Sequence, residues 1–191
     1  MGRRRAAADQ ASAEPPELAD PASAARTICL RLLTTRPRTR AELATALRKR
    51  GVPDDCAEAV LTRFGEVGLI DDQAFAAAWV STRHVGRGLA RGALAGELRS
   101  RGVAPAIVSA AVDELDTDTE LATARQLVAR RLPGLRGVRA DVRLRRLVGM
   151  LARKGYPTGM AVRVVREALI GFAGESVADV ELAALETLAD L

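Results

Sequence analysis

Few side chains in this sequence are of the types that make or break covalent bonds. His84 is the single imidazole of the 191 residues, and Cys29 and Cys56 are the only thiols. One imidazole and two separated thiols fall short of a conventional zinc site or a disulfide framework. His84 lies in the polar, glycine-bracketed stretch 81–88, which reads as a solvent-exposed loop rather than the seat of a general base. Both cysteines occupy apolar helical positions, where a small buried thiol is ordinary. Gly86-Arg87-Gly88 has part of the spacing of a phosphate loop but follows a helix, not a strand, and so reads as a flexible break before the next helix. No Walker loop, His-Glu-x-x-His motif, nucleophile elbow or recognisable catalytic carboxylate pair is present. The expectation is a protein that is not an enzyme, with no metal, no cofactor and no small-molecule substrate.

The abundant chemistry is that of guanidinium. Of 29 basic residues only Lys49 and Lys154 are lysines, and against 24 acids they leave the chain at +5. Residues 25–171 hold 26 bases and 15 acids, a net +11, which points to an anionic partner such as an acidic protein surface or nucleic acid. The charge is uneven: +4 over 25–70, −2 over 71–118 and +9 over 119–171. The candidate contact set is therefore Arg136, Arg139, Arg143, Arg145, Arg146, Arg153 and Lys154, with Arg83, Arg87 and Arg91 from the middle of the chain. On an ideal helix Arg139, Arg143 and Arg146 share one face, at i, i+4 and i+7. Phosphate contacts there would release counterions and make binding steeply salt-dependent.

Helices must position these groups. Aromatics are 3% of the chain while Ala, Leu, Arg and Val dominate, a composition that favours helix over a sandwich or barrel. A segment also repeats: LRKRGVPDDCAEAV from Leu47, LRSRGVAPAIVSAA from Leu98 and LARKGYPTGMAVRV from Leu151, in steps of 51 and 53 residues. Leu43, Leu94 and Leu147 precede these by four residues, so each Leu pair marks one side of a helix. The basic cluster lies in its last turn, and Gly51, Gly102 or Gly155 ends it in a left-handed cap. Pro53, Pro105 and Pro157 open a following helix, whose apolar stripe in the first copy is Cys56, Val60, Phe64 and Val67. A preceding helix is signalled by Asp20-Pro21, by Asp71-Asp72 and by a capping box, Thr117-x-x-Glu120. A second box, Thr39-x-x-Glu42, opens the middle helix of copy one.

The expected fold is all-α: three tandem three-helix repeats at 25–70, 71–118 and 119–171. A unit of about fifty residues is marginal alone, so the repeats are expected to stack into an elongated, curved array. Residues 1–24 lack an apolar period and read as a disordered tail. No apolar core of a signal peptide follows Arg3, Arg4 and Arg5. Residues 172–191 carry five acids and no base, with Val177, Val180, Leu182, Leu185 and Leu188 near helical spacing, and read as an acidic, helical segment. No apolar run approaches a membrane span, and the expected location is the cytoplasm.

One stretch carries a family signature. Gly68-Leu69-Ile70-Asp71-Asp72-Gln73-Ala74-Phe75-Ala76 leads into Trp79-Val80-x-x-Arg83. Gly68 ends a helix, Leu69 and Ile70 plug a junction, Asp71 caps the next helix, and Phe75 and Trp79 face a shared core one turn apart. Gly86 and Gly88 follow, then Glu97-Leu98-x-x-Arg101-Gly102-Val103. Together these resemble the RecX family of bacterial recombination regulators over residues 25–171. The resemblance implies three three-helix repeats that bind the RecA recombinase and lodge along its filament on single-stranded DNA. It further implies limited filament growth, reduced ATP hydrolysis and strand exchange, and no catalytic residues. The pattern departs after Gly88, where many relatives place Pro and a basic pair and this chain has Leu89 and Ala90 before a lone Arg91.

Two other readings stay open at this point. Three-helix units resemble helix-turn-helix domains, but the third helix of copy one opens on Pro53-Asp54-Asp55, acids where phosphates would approach. That of copy two, APAIVSAAVDEL, offers few side chains able to read bases. Weak non-specific DNA binding is compatible with either. The last reading is a helical adaptor for some other protein.

Overall fold

The computed structural model describes residues 20–170, 172 and 185, and every regular element among them is helical. The expectations for residues 1–19, and for the acidic segment beyond Phe172 apart from Leu185, lie outside the described residues. In order the elements are α1 (Pro21–Leu33), α2 (Arg40–Arg48), α3 (Asp54–Glu66), α4 (Asp72–Arg87), α5 (Arg91–Ser100) and α6 (Pro105–Asp113). Then come α7 (Thr117–Arg131), a 3-10 turn (Leu132–Leu135), α8 (Ala140–Arg153) and α9 (Thr158–Leu169). Residues 21–24, placed with the tail by a boundary at 25, belong to α1. The Asp20 carboxylate accepts the Ser23 N–H at 3.0 Å, and Pro21 occupies the first turn.

The repeated Leu-x-x-x-Gly segment is a helix stop used three times. After α2, α5 and α8 the chain turns through Gly51, Gly102 and Gly155 at φ +73°, +75° and +86°. In each case the N–H two residues past the cap returns to a leucine carbonyl five residues back: Val52 to Leu47, Val103 to Leu98 and Tyr156 to Leu151, at 3.2–3.3 Å. The glycine N–H itself bonds Arg48, Arg99 or Ala152. This pair of bonds satisfies the last carbonyls of the helix and requires a left-handed residue between them, hence Gly. The apolar contact that accompanies such a stop is also present, since Leu47, Leu98 and Leu151 are fully buried and Val52, Val103 and Tyr156 nearly so.

Two compact units result, one holding the described residues up to 37 and 42–70, the other 38–41 and 71 onward. The first closes over Ala25, Cys29, Leu43, Leu47, Val60, Leu61, Phe64 and Ile70. The second has two apolar clusters. Ala76, Val80, Leu94, Leu98, Val108 and Leu115 make one; Ala124, Val128, Leu144, Leu147, Leu151, Val164 and Leu169 belong to the other. Burying one such leucine stabilises by about 1.5–3 kcal/mol. Two apolar residues do not follow the expected pattern: Val67 and Leu69 are exposed, and only Ile70 of the Leu69-Ile70 pair enters the core. The left-handed turn at Gly68 places the N–H groups of both Leu69 and Ile70 on the Phe64 carbonyl, and only one of two successive side chains can then point inward.

Candidate partner-binding surface

Asp71 caps α4 by accepting the N–H groups of Gln73 and Ala74 at 2.9 and 2.8 Å, and the helix then presents Phe75, Trp79 and Arg83 at intervals of one turn. The Phe75 and Trp79 rings stack with centroids 5.6 Å apart, half-buried against the second unit's first apolar cluster. The Arg83 and Arg101 guanidiniums stand 4.2 and 3.9 Å from the Trp79 ring centroid, an attraction between cation and π-face. The indole N–H donates to Glu97 on α5 at 2.8 Å. That carboxylate also lies 3.9 Å from Arg83 and 3.7 Å from Arg87. Thus the signature residues form a cluster of aromatic rings, cations and one acid across α4 and α5.

The chain then ties this cluster to α8. Gly88 ends α4 in the left-handed region at φ +61°, and its N–H bonds the His84 carbonyl. Gly86 and Arg87 are inside α4, so Gly86-Arg87-Gly88 is a helix end rather than a break or an anion-binding loop. The Lys154 ammonium donates to the Arg87 carbonyl at 2.6 Å, and the Ala90 N–H to the Lys154 carbonyl at 2.8 Å. The Tyr156 hydroxyl donates to the Gly88 carbonyl at 3.2 Å. Burial, reinforced by the Glu120 charge, pushes its phenol up to about 12. These bonds set Lys154 beside Arg87 and bring the cations of α4 and α8 into one neighbourhood. Arg153 precedes Lys154, and its guanidinium runs back along α8, 3.4 Å from where a β-carbon on Gly149 would stand. Arg145 and Arg146 are exposed two turns earlier on that helix. Arg136 and Arg139 are exposed ahead of α8, where Arg139 pairs with Asp141 at 3.2 Å.

Two members of the candidate set stand apart from this surface. Arg143 is 2% exposed: its guanidinium donates to the Val138 carbonyl and lies 5.2 Å from the Phe172 ring centroid. The face drawn through Arg139, Arg143 and Arg146 therefore does not exist. Arg139 is the extended residue before α8, at ψ 150°, and the helix begins only after it, turning Arg143 toward the core that Leu144 and Leu147 enter. Arg91 is occupied as well. Its backbone N–H and Nε–H donate to the two oxygens of Glu120 at 2.8 and 3.1 Å, and its Nη2 donates to the Thr117 hydroxyl at 2.8 Å.

Glu120, 1% exposed, is thus not half of a capping box; Asp116 caps α7 instead, its carboxylate held low by the N–H of Thr119. Asp72 has a similar role within the second unit, accepting the Arg40 N–H at 2.9 Å. His84 too is buried, 5% exposed inside α4, with Nδ1 on the Leu89 carbonyl and Nε2 on the Thr123 hydroxyl, both at 2.9 Å. Its spacing from Val80 and Ala76, four and eight residues respectively, was the signal for a core position. Burial raises the Cys29 and Cys56 thiols, with Asp55 adding to the effect at Cys56, so neither favours a thiolate. Among the described residues no group of three or more His, Cys, Asp and Glu could hold a metal ion, and no helix is long and apolar enough to cross a membrane.

Comparison with known proteins adds to this geometry. The family models for the first and second three-helix domains of RecX match residues 25–64 and 71–112. Regulatory protein RecX of Streptomyces coelicolor is 64% identical over 156 residues, 82% of each chain. The chain belongs to the RecX family. RecX of Thermobifida fusca is likewise 64% identical, over 145 residues, 76% of this chain and 78% of that one. Crystallised RecX from Lactobacillus salivarius shares the fold at a TM-score of 0.73 and 19% identity, with 80% of this chain covering all of that one. RecX is a family of regulators. Of the signature residues, Gly68, Asp71, Asp72, Phe75, Trp79 and Gly102 take part in turns, caps and packing, whereas the Leu69 side chain is exposed. Asp71 caps, Phe75 and Trp79 stack, and Gly102 makes a helix stop at a place where a β-carbon would stand 2.4 Å from that of Ala41.

Proposed function

We propose that this protein binds the RecA recombinase and its filament on single-stranded DNA and restrains filament growth. ATP hydrolysis and strand exchange fall as a result, and the protein catalyses no reaction of its own. The observation that carries this reading is the run of cations from Arg83 and Arg87 on α4 through Lys154 and Arg153 to Arg146 and Arg145 on α8. It joins two helix trios through the Lys154–Arg87 contact of 2.6 Å. A nucleoprotein filament offers both phosphates and acidic protein surface, and long-range attraction speeds encounter with either. Arg136 and Arg139 extend the run; Arg143 anchors α8, which carries part of it, and Arg91 ties α5 to α7. Direct binding to bare DNA is weak and indifferent to sequence, because α3 opens on acids and α6 carries no base.

The test is RecA ATP hydrolysis on single-stranded DNA with the full-length protein added. The expected result is inhibition by the unaltered chain and clear loss of inhibition in the double variant Arg146→Glu, Arg153→Glu at unchanged helicity. Equal inhibition by both would remove the surface from the mechanism. Inhibition at far less than one protein per RecA would indicate capping of filament ends, and a near-equal ratio would indicate coating.

A further inference from the structure

Glu97 is the single acid of α5, and it stands within the cation run. It is about one-third exposed, and Trp79 holds it through a 2.8 Å bond from the indole N–H. The two arginines beside it are held loosely. At 3.9 and 3.7 Å neither Arg83 nor Arg87 reaches hydrogen-bond distance of the carboxylate. The Lys154 ammonium, on the Arg87 carbonyl, keeps two further N–H groups. The site thus contains an anion pinned by a neutral donor and two guanidiniums that satisfy themselves on it only through space. A phosphate oxygen can approach a guanidinium to about 2.8 Å and take two of its N–H groups, which this fixed carboxylate does not.

We propose that Arg83, Arg87 and Lys154 form a binding site for a backbone phosphate of single-stranded DNA, in which the Glu97 carboxylate is the resident anion that the phosphate must outcompete. This deepens the reading above and rests on it for its biological setting. Glu97 then sets how strongly the surface holds bare DNA: its charge cancels one cation of the run, and what remains favours a partner that adds contacts to RecA itself. Glu97→Gln is the informative change, because the amide oxygen still accepts the Trp79 N–H while the charge is gone.

The experiment is binding of a fluorescent oligo(dT) to the full chain across a range of salt. The comparison variants are Glu97→Gln and Glu114→Gln, the latter neutralising an exposed acid of the same charge beside Gln73 and Ala77 on the other flank of α4. One extra net cation at a single-strand phosphate steepens the slope of log affinity against log salt by about 0.7, which is about fivefold tighter binding at 0.1 M than at 1 M salt. Glu97→Gln should show that gain, Glu114→Gln should fall well short of it, and adding Arg87→Gln to Glu97→Gln should abolish it. Equal behaviour of the two glutamine variants, an unchanged slope, or a gain that survives Arg87→Gln would overturn the proposal. Arg87→Gln alone, at an exposed position, should weaken oligo(dT) binding, and unchanged affinity there would count equally against it. RecA ATP hydrolysis measured alongside separates the two readings. An unaltered chain that does not inhibit RecA sinks the proposed function, whereas inhibition with no effect of Glu97→Gln sinks the phosphate site alone.

Discussion

Glu120 on α7 grips Arg91 on α5 at both ends, taking the backbone N–H on one carboxylate oxygen at 2.8 Å and the side-chain Nε–H on the other at 3.1 Å. The first bond satisfies a free N–H at the start of α5, where Ala90 supplies no side-chain cap; the second neutralises the buried carboxylate. A single acid thereby fixes the start of one helix to the body of another, 29 residues away.

Removing that acid should be costly. Glu120→Ala leaves the α5 N-terminus uncapped and Arg91 half-buried without its partner, and the expected loss is about 2–3 kcal/mol of stability. Arg91→Ala should cost nearly as much, and the double variant far less than the sum, as read from denaturant midpoints. Independent, additive effects would show that the two residues do not act together.

The two neighbouring arginines of α8 should behave in opposite ways. Arg143 is buried, so Arg143→Glu places an unpaired acid in the core and is expected to cost at least ~3 kcal/mol. Arg146 is exposed, and Arg146→Glu should stay within about 0.5 kcal/mol of the parent in thermal unfolding. A stable Arg143→Glu protein would contradict the burial of that side chain.

The repeated glycines should differ in sensitivity although their backbones match. At Gly51, φ is +73° and an added β-carbon meets open space, so Gly51→Ala should cost only the left-handed penalty of about 1 kcal/mol. At Gly155 the same carbon would stand 2.2 Å from the Ala93 backbone nitrogen, so Gly155→Ala must also push α5 away from α8. We expect a loss of roughly 3 kcal/mol or more. Comparable unfolding midpoints for the two variants would show that α5 and α8 are not in such close contact.

Alkaline stability should report on the only tyrosine. The Tyr156 phenol is raised from 10 to about 12 in the folded chain, so folding disfavours its ionisation. The stabilisation is fully present below pH 10, declines as pH rises toward 12, and amounts to about 2–3 kcal/mol at the upper limit. Phenolate absorbance should therefore appear together with loss of helicity, well above pH 10. Tyr156→Phe should weaken that pH dependence of stability. Phenolate formation near pH 10 in the folded chain would place Tyr156 in water instead.

The amino-acid sequence alone determined most helix starts and stops, because those depend on partners within about five residues. The starts of α2 and α5, which Asp72 and Glu120 complete from about thirty residues away, are exceptions. Asp20 and Asp71 cap their own helices, and the Leu-x-x-x-Gly segment writes the same turn three times. The family signature was legible for the same reason, since most of its residues act locally. Tertiary structure alone decided which charges stay exposed and which are buried or paired. Helical spacing shows which residues share a face, but not whether another helix covers it. Arg143 and His84 were drawn inward by the cores beside them, and Arg91 was claimed by a carboxylate on α7. A charge enters a core only where a distant group satisfies it, and that group is chosen by packing rather than by adjacency in the chain. The cation run has the same origin: Arg87 and Lys154 are 67 residues apart, and only the folded chain makes them neighbours.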